Sequence, residues 1–252
     1  MTSIEWTHKT INPIHLVKED GSHGGHWCKK ISQGCANCYA EEMNNSNYFK
    51  FASHLSYTGN PPDNLIYDRQ MLIKNTKTKT SSLIFLGSMT DLLGDWIPDE
   101  WILDIIAIAK RSLHVFQFLT KRPERMKEVF GKIDPVPNIW LGTSIEDQNA
   151  FDSRAEILFD LKVDGWKTFY SCEPLLSSID LYLDRIKVDW VIVGGESGKK
   201  CRKSEEEWFL DIRDQCKLYS IPFFFKQWGH FYPYKEPLLD GRIYHQHPCF
   251  KF

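Results

Sequence analysis

Six short apolar runs punctuate the chain after residue 80: "SLIFLGS" (82–88), "HVFQFLT" (114–120), "NIWLGTSI" (138–145), "KTFYSCE" (167–173), "DWVIVGGE" (189–196) and "IPFFFKQW" (221–228). They are apolar at odd and even positions alike, which is the pattern of strands covered on both faces. Helical segments lie between them. "PDEWILDIIAIAKRS" places Pro98 near a first turn, with Asp99 and Glu100 beside it, where a helix N-terminus favours negative charge. "SEEEWFLDIRDQCKLYS" offers Ser204 as a cap and Glu207 as the other half of a capping box. Strand, helix and strand at this regularity predict βαβ units. The expected fold is α/β: a single (β/α) TIM-like barrel, complete or partial, of about six parallel strands. A cysteine loop precedes it and an irregular extension over 229–252 follows it. No low-complexity segment or linker divides residues 1–252, so one domain is expected. "YTGNPPDN" (57–64) and "KNTKTKTSS" (74–82) read as loops.

In such folds ligand chemistry gathers at the C-terminal ends of the strands. The predicted strand ends are dense in polar groups. They carry Ser88 and Asp91, then Thr120, Lys121 and Arg122, then Ser144 and Glu146, then Glu173. Glu196 and Ser197 end the fifth run, after Gly194 and Gly195, and Lys226 and Gln227 end the sixth. Any one of them could be an ordinary cap or solvated charge, Ser88, Ser144 and Ser197 especially. Their repetition on six strands predicts a polar rim around a cofactor or substrate site.

Composition narrows the class. Apolar residues are 42% and charged residues 25%, with a formal net charge of −2. That is an ordinary globular balance with no global footprint for nucleic acid. No apolar run approaches the roughly 18 residues of a membrane span, and the start "MTSIEWTHKTINP" has no signal-peptide core. A cytoplasmic protein with reduced thiols is expected. Seven cysteines do not suggest a disulfide framework, and three of them, Cys28, Cys35 and Cys38, share the stretch "CKKISQGCANC". Such a trio is best read as a ligand set. One reading is zinc, completed by His23 or His26 of "HGGH". The other is an iron–sulfur cluster on three thiolates, with one iron open to a non-protein ligand. Ordinary unligated thiols are the bland reading.

A cysteine trio in an N-terminal loop followed by a (β/α) barrel resembles the radical S-adenosylmethionine superfamily. More closely, "IEWT", "GCANCYAE", "SMTDLL", "FLTKRPERM", "NIWLGTSIED", "EPLL", "WVIVGGESG" and "PFFFKQWG" resemble a phage- and mobile-element-associated family of unknown function with a three-cysteine motif. The superfamily resemblance implies a [4Fe-4S] cluster on Cys28, Cys35 and Cys38, with S-adenosyl-L-methionine on the fourth iron. It implies cofactor contacts from Tyr39, Ser88, Asp91, Ser144, Glu146, Glu173, Gly194, Gly195, Glu196 and Ser197. Ser88 and Asp91 would hold the methionyl ammonium. Gly194 and Gly195 would let backbone approach a ribose or carboxylate. Lys121, Cys172 and Lys226 are the candidates for catalysis, Cys172 as a hydrogen donor or extra ligand, against the alternative of a buried thiol. A reductase, and a nucleic-acid base or nucleotide as substrate, are the implied partners. Two features depart from the superfamily. The spacing is C-x6-C-x2-C rather than C-x3-C-x2-C, and Asn37 rather than an aromatic residue precedes the last cysteine. The stretch 14–28 is also longer than expected, and a hairpin over the site would account for it. The competing reading is a zinc-stabilised nucleic-acid- or protein-binding barrel without turnover. A zinc deaminase lacks its H-x-E and P-C-x-x-C pair.

Overall fold

The computed structural model describes residues 4–46, 53–231 and 235–249. Seven parallel strands form one curled sheet, a half-barrel, with helices on its outside. In chain order, β1 (Lys9–Ile11) is followed by a two-stranded antiparallel ribbon of β2 (Ile14–Leu16) and β3 (Leu65–Tyr67). Between these lies α1 (Tyr39–Asn44), and α2 (Arg69–Thr76) leads back to the sheet. From there strands and helices alternate: β4 (Leu83–Leu86), α3 (Asp99–Lys110), β5 (Val115–Thr120), α4 (Pro123–Phe130), β6 (Ile139–Ser144) and α5 (Gln148–Val163). β7 (Lys167–Cys172), β8 (Trp190–Gly194), α6 (Glu206–Leu218) and β9 (Phe223–Gln227) complete the set. The sheet order is β1-β4-β5-β6-β7-β8-β9.

All six apolar runs hold a strand. The seventh, β1, is only three residues of mixed polarity, "KTI", too short for periodicity to register. The described edges, β1 and β9, do not pair with each other, so the sheet is a partial barrel rather than a closed one. Two local expectations are corrected. Ser204 does not cap α6: its hydroxyl donates to the Leu175 carbonyl at 2.6 Å, and Glu205 stands at the cap without a side-chain bond. The polar stretch from Lys74 begins inside α2 rather than in a loop. Of the amphipathic stretch from Tyr39, helix runs only to Asn44, and residues 47–52 lie outside the described residues.

The two faces of the strands bury different cores, because successive side chains point to opposite sides. Outside, Phe116, Phe118, Tyr170, Val191, Val193 and Phe225 meet the apolar stripes of the helices, such as Ile102, Ile105, Ile106 and Ala109 of α3. Inside the curl lies a second core of Trp6, Phe85, Trp140, Phe169, Trp190 and Phe224 with Leu83, Val115 and Ile192. Gly142 belongs to this face because a Cβ there would stand 2.3 Å from the Phe169 ring. The C-terminal extension is not loose: His245 stacks on Phe224, Tyr244 accepts from the Phe225 amide, and Gln246 accepts from the Trp190 indole. It lines the free edge of β9 and helps close the inner core. The 14–28 stretch is a ribbon, with Val17 and His23 bridged across its turn.

Trp190 is fully buried at the centre of the inner core, within about 6 Å of the rings of Trp6, Trp140, Phe169 and Phe224. Trp190→Ala should cost about 3–5 kcal/mol in chemical denaturation, whereas Leu218→Ala, at a side chain 73% exposed, should shift the midpoint little.

Candidate functional site

The cysteine loop has little regular structure of its own, so partners must hold it. A single turn of 3-10 helix spans Gln33–Cys35, and Cys38 stands at the N-cap of α1. The fastening comes from the segments that follow four strands. Thr90, after β4, donates to the Trp27 carbonyl at 2.6 Å, and Arg122, after β5, donates to the Lys29 carbonyl at 2.9 Å. Gly34 lies against Glu146, after β6; a Cβ there would come within 3.0 Å of the carboxyl carbon. After β8, Glu196 accepts from the Asn37 amide at 3.1 Å, and Arg202 donates to the Gln33 carbonyl at 3.0 Å. Asn37 also donates to the Lys200 carbonyl at 2.8 Å. Tyr39 donates from its hydroxyl to the Ser88 carbonyl at 2.6 Å. The rim is therefore largely the mount of the loop.

Between loop and strand ends is a cavity of about 180 Å³, open to solvent. Cys28, Cys35, Cys38, Tyr39, Ser88, Asp91, Lys121, Ser144, Glu173 and Lys226 all line it. Period-2 alternation explains the strand residues: Ser144, Glu173 and Lys226 continue the inward-facing rows of β6, β7 and β9. At the floor, the Glu173 carboxylate accepts from the Trp6 indole at 3.0 Å and the Ser171 hydroxyl at 3.2 Å, and pairs with Lys226 at 2.9 Å. The place for it is made by Gly194, where a Cβ would stand 3.0 Å from a Glu173 oxygen.

Several expected contacts are corrected. Cys172 is fully buried on the outer face, in the core shared with Cys216 and the helices; one residue of register separates it from the cavity side. Gly194 and Gly195 face protein, since a Cβ on Gly195 would meet the Trp228 carbonyl at 2.1 Å. Asp91 has both oxygens committed, to the Thr120 hydroxyl, the Leu93 amide and the Arg122 guanidinium at 2.8–3.0 Å. Glu146 and Glu196 do not line the cavity: each is buried, paired with Arg154 and Arg202 respectively. Ser197 belongs to a neighbouring cleft. His23 and His26 form a ring cluster with His15 that does not line the cavity, and burial pushes both down to about 4. The sequence reading missed Trp6, Arg154 and Arg202. The first is an isolated aromatic before β1, and the other two are far in sequence from the loop they support.

All three thiols are free. Burial and then the Asp91 carboxylate push Cys28 up to about 12; burial raises Cys38, with Cys35 adding to it. Ligation would therefore release protons, as metal thiolates require. Among the described residues, no three His, Cys, Asp or Glu side chains close on one ion. The three thiols share the lining of one cavity.

The chain is an α/β protein whose curled parallel sheet carries a thiol-lined cavity at its C-terminal edge. The chain belongs to the family described as "Protein of unknown function (DUF5131)", whose model matches residues 1–248. No curated protein and no solved structure matches it.

Burial raises the Glu146 carboxyl, but Lys121 and Arg154 more than offset it and the net shift is downward. Its charge thus stabilises the fold above the ordinary carboxylate range, and that contribution is lost as pH falls through its depressed value. Arg154→Met leaves the buried charge without its bidentate partner and should cost about 3–5 kcal/mol at pH 7. The difference from wild type should shrink below about pH 4.5, as protonation of the variant's Glu146 removes the unpaired charge. Denaturation curves across that range check both.

Proposed function

We propose that this chain is a radical S-adenosylmethionine-type enzyme, in which Cys28, Cys35 and Cys38 hold a [4Fe-4S] cluster and the cavity beside them takes S-adenosyl-L-methionine. The observation that carries the reading is the joint lining of one cavity by three free thiols and the inward-facing strand ends of a parallel half-barrel. The chemistry supplied by the bound pair is reductive cleavage of the sulfonium to a 5′-deoxyadenosyl radical that abstracts hydrogen from a substrate. The chain's own part is positional. Ser144 and the Glu173–Lys226 pair present polar groups from the floor, and Trp6, Phe85 and Leu119 exclude water beneath them. Lys121 lines the cavity beside the thiols, and its charge offsets a small part of the burial that raises Cys38. A nucleic-acid base or nucleotide is the substrate class within this reading, with a reductase as electron source. The cytoplasm is the compartment that keeps such thiols reduced.

Anaerobic reconstitution followed by iron analysis tests it. Wild type should hold about four irons per chain, and dithionite should produce a paramagnetic signal that S-adenosylmethionine alters. Cys35→Ala should lose most of the iron, while Cys249→Ala, at an exposed thiol, should keep it. One zinc per chain and no iron after reconstitution would sink the radical reading.

A further inference from the structure

A second cleft opens beside the cavity and shares Ile4, Tyr39 and Lys226 with it. One wall is α1, with Tyr39 and Met43 each 37% exposed. The other is formed by Ser197, Gly198 and Lys199, in a loop that is fixed in place. Ser197 accepts from the Gln227 amide at 2.6 Å, the Gly198 amide donates to His230 at 2.8 Å, and the Lys200 carbonyl is held by Asn37. Gly198 has a φ of +102°, and a Cβ there would meet the Glu42 carboxylate at 2.8 Å, so the tight approach of loop to helix needs glycine.

The charges around this opening do not balance. Each buried or half-buried carboxylate of the rim already has its own cation: Asp91 has Arg122, Glu146 has Arg154, Glu173 has Lys226 and Glu196 has Arg202. Lys199 in the cleft wall and Lys200 next to it remain, both exposed and with no ion pair among the described residues. Against them the cleft wall sets one acid, Glu42. A rigid loop that carries two adjacent uncommitted lysines, opposite a half-exposed aromatic ring and an apolar thioether, matches a ligand with a phosphate at one end and a flat ring at the other. Base–aromatic stacking and ammonium–phosphate contacts are the forces that would hold it.

We propose that this cleft admits a nucleoside phosphate, free or within a single strand, with its phosphate on Lys199 and Lys200 and its base against Tyr39. The shared wall of Tyr39 and Lys226 then turns the ring toward the thiol-lined cavity. This rests on reading that cavity as the reacting centre and gives its substrate class and route of access.

Calorimetric titration of the full chain with deoxyadenosine monophosphate and with an oligothymidylate 12-mer, at low and moderate salt, tests it. Wild type should bind at least one probe in the micromolar to low millimolar range, and K199E/K200E should weaken that binding at least tenfold. K110E/K132E, exposed lysines at the opposite edge of the sheet, should change it less than twofold. Tighter binding of the 12-mer, with a salt slope reduced in K199E/K200E, points to a strand; equal binding points to the free nucleotide. Absence of binding by both probes, or equal binding by K199E/K200E and wild type, overturns the proposal. Iron content measured on the same samples separates the two readings. An intact cluster with no probe binding sinks only the cleft, and probe binding without iron sinks only the radical chemistry.

Discussion

Cys28 and Cys38 pack at the two ends of the cysteine loop against a small apolar cluster of Trp27, Ala40, Tyr57 and Met89, and the rest of the site depends on how the stretch between them is held. Two ion pairs on buried carboxylates contribute to this. Glu146 and Arg154 provide the surface on which Gly34 rests, and Glu196 and Arg202 grip Asn37 and the Gln33 carbonyl from the opposite side. Buried ion pairs contribute little to stability compared with apolar replacements, because desolvation offsets their attraction. What they do well is fix geometry, since a misplaced partner leaves a buried charge exposed to its full penalty. That suits a loop whose task is to present three thiols toward one space.

The inner aromatic core serves the same end from below. Trp6, Trp140, Phe169, Trp190 and Phe224 fill the curl of the half-barrel, so the concave face is solid up to the last inward residue of each strand. Above that level side chains become polar, and the cavity begins there. The C-terminal segment supports this arrangement, since His245 and Gln246 engage Phe224 and Trp190 across the otherwise open edge. The cavity is consequently a thin polar layer between a packed aromatic floor and a tethered loop. A low-dielectric floor strengthens the Glu173–Lys226 pair above it.

Much of this was legible in the residues. Runs apolar at every position announced strands covered on both faces, and all six lie in the sheet. The clustering of Cys28, Cys35 and Cys38 announced a common site, and all three line one cavity. Less legible were features with no periodic signal. β1 is three residues long, Trp6 lies in a turn before it, and Arg154 sits on a helix whose apolar pattern gives no sign that one of its cations is buried. The predicted cap at Ser204 failed because its hydroxyl found a carbonyl 29 residues away, a competitor that local spacing cannot reveal.

The sequence by itself determined the element types and the edge of the sheet at which its polar strand ends gather, because both follow from local periodicity and from the parallel connection of strands. It also determined that three cysteines share one short loop. Only the tertiary structure decided which rim residues face the cavity and which brace it. Cys172 and Glu173 are neighbours in the chain, yet the strand's twofold alternation sends one into the helix-covered core and the other to the cavity floor. Asp91, Glu146 and Glu196 are expected to contact a cofactor, yet each meets a cation brought to it by the fold. Pairings of that kind depend on distances through space that no stretch of the chain encodes locally, so the mount of the loop became visible only once the sheet had curled around it.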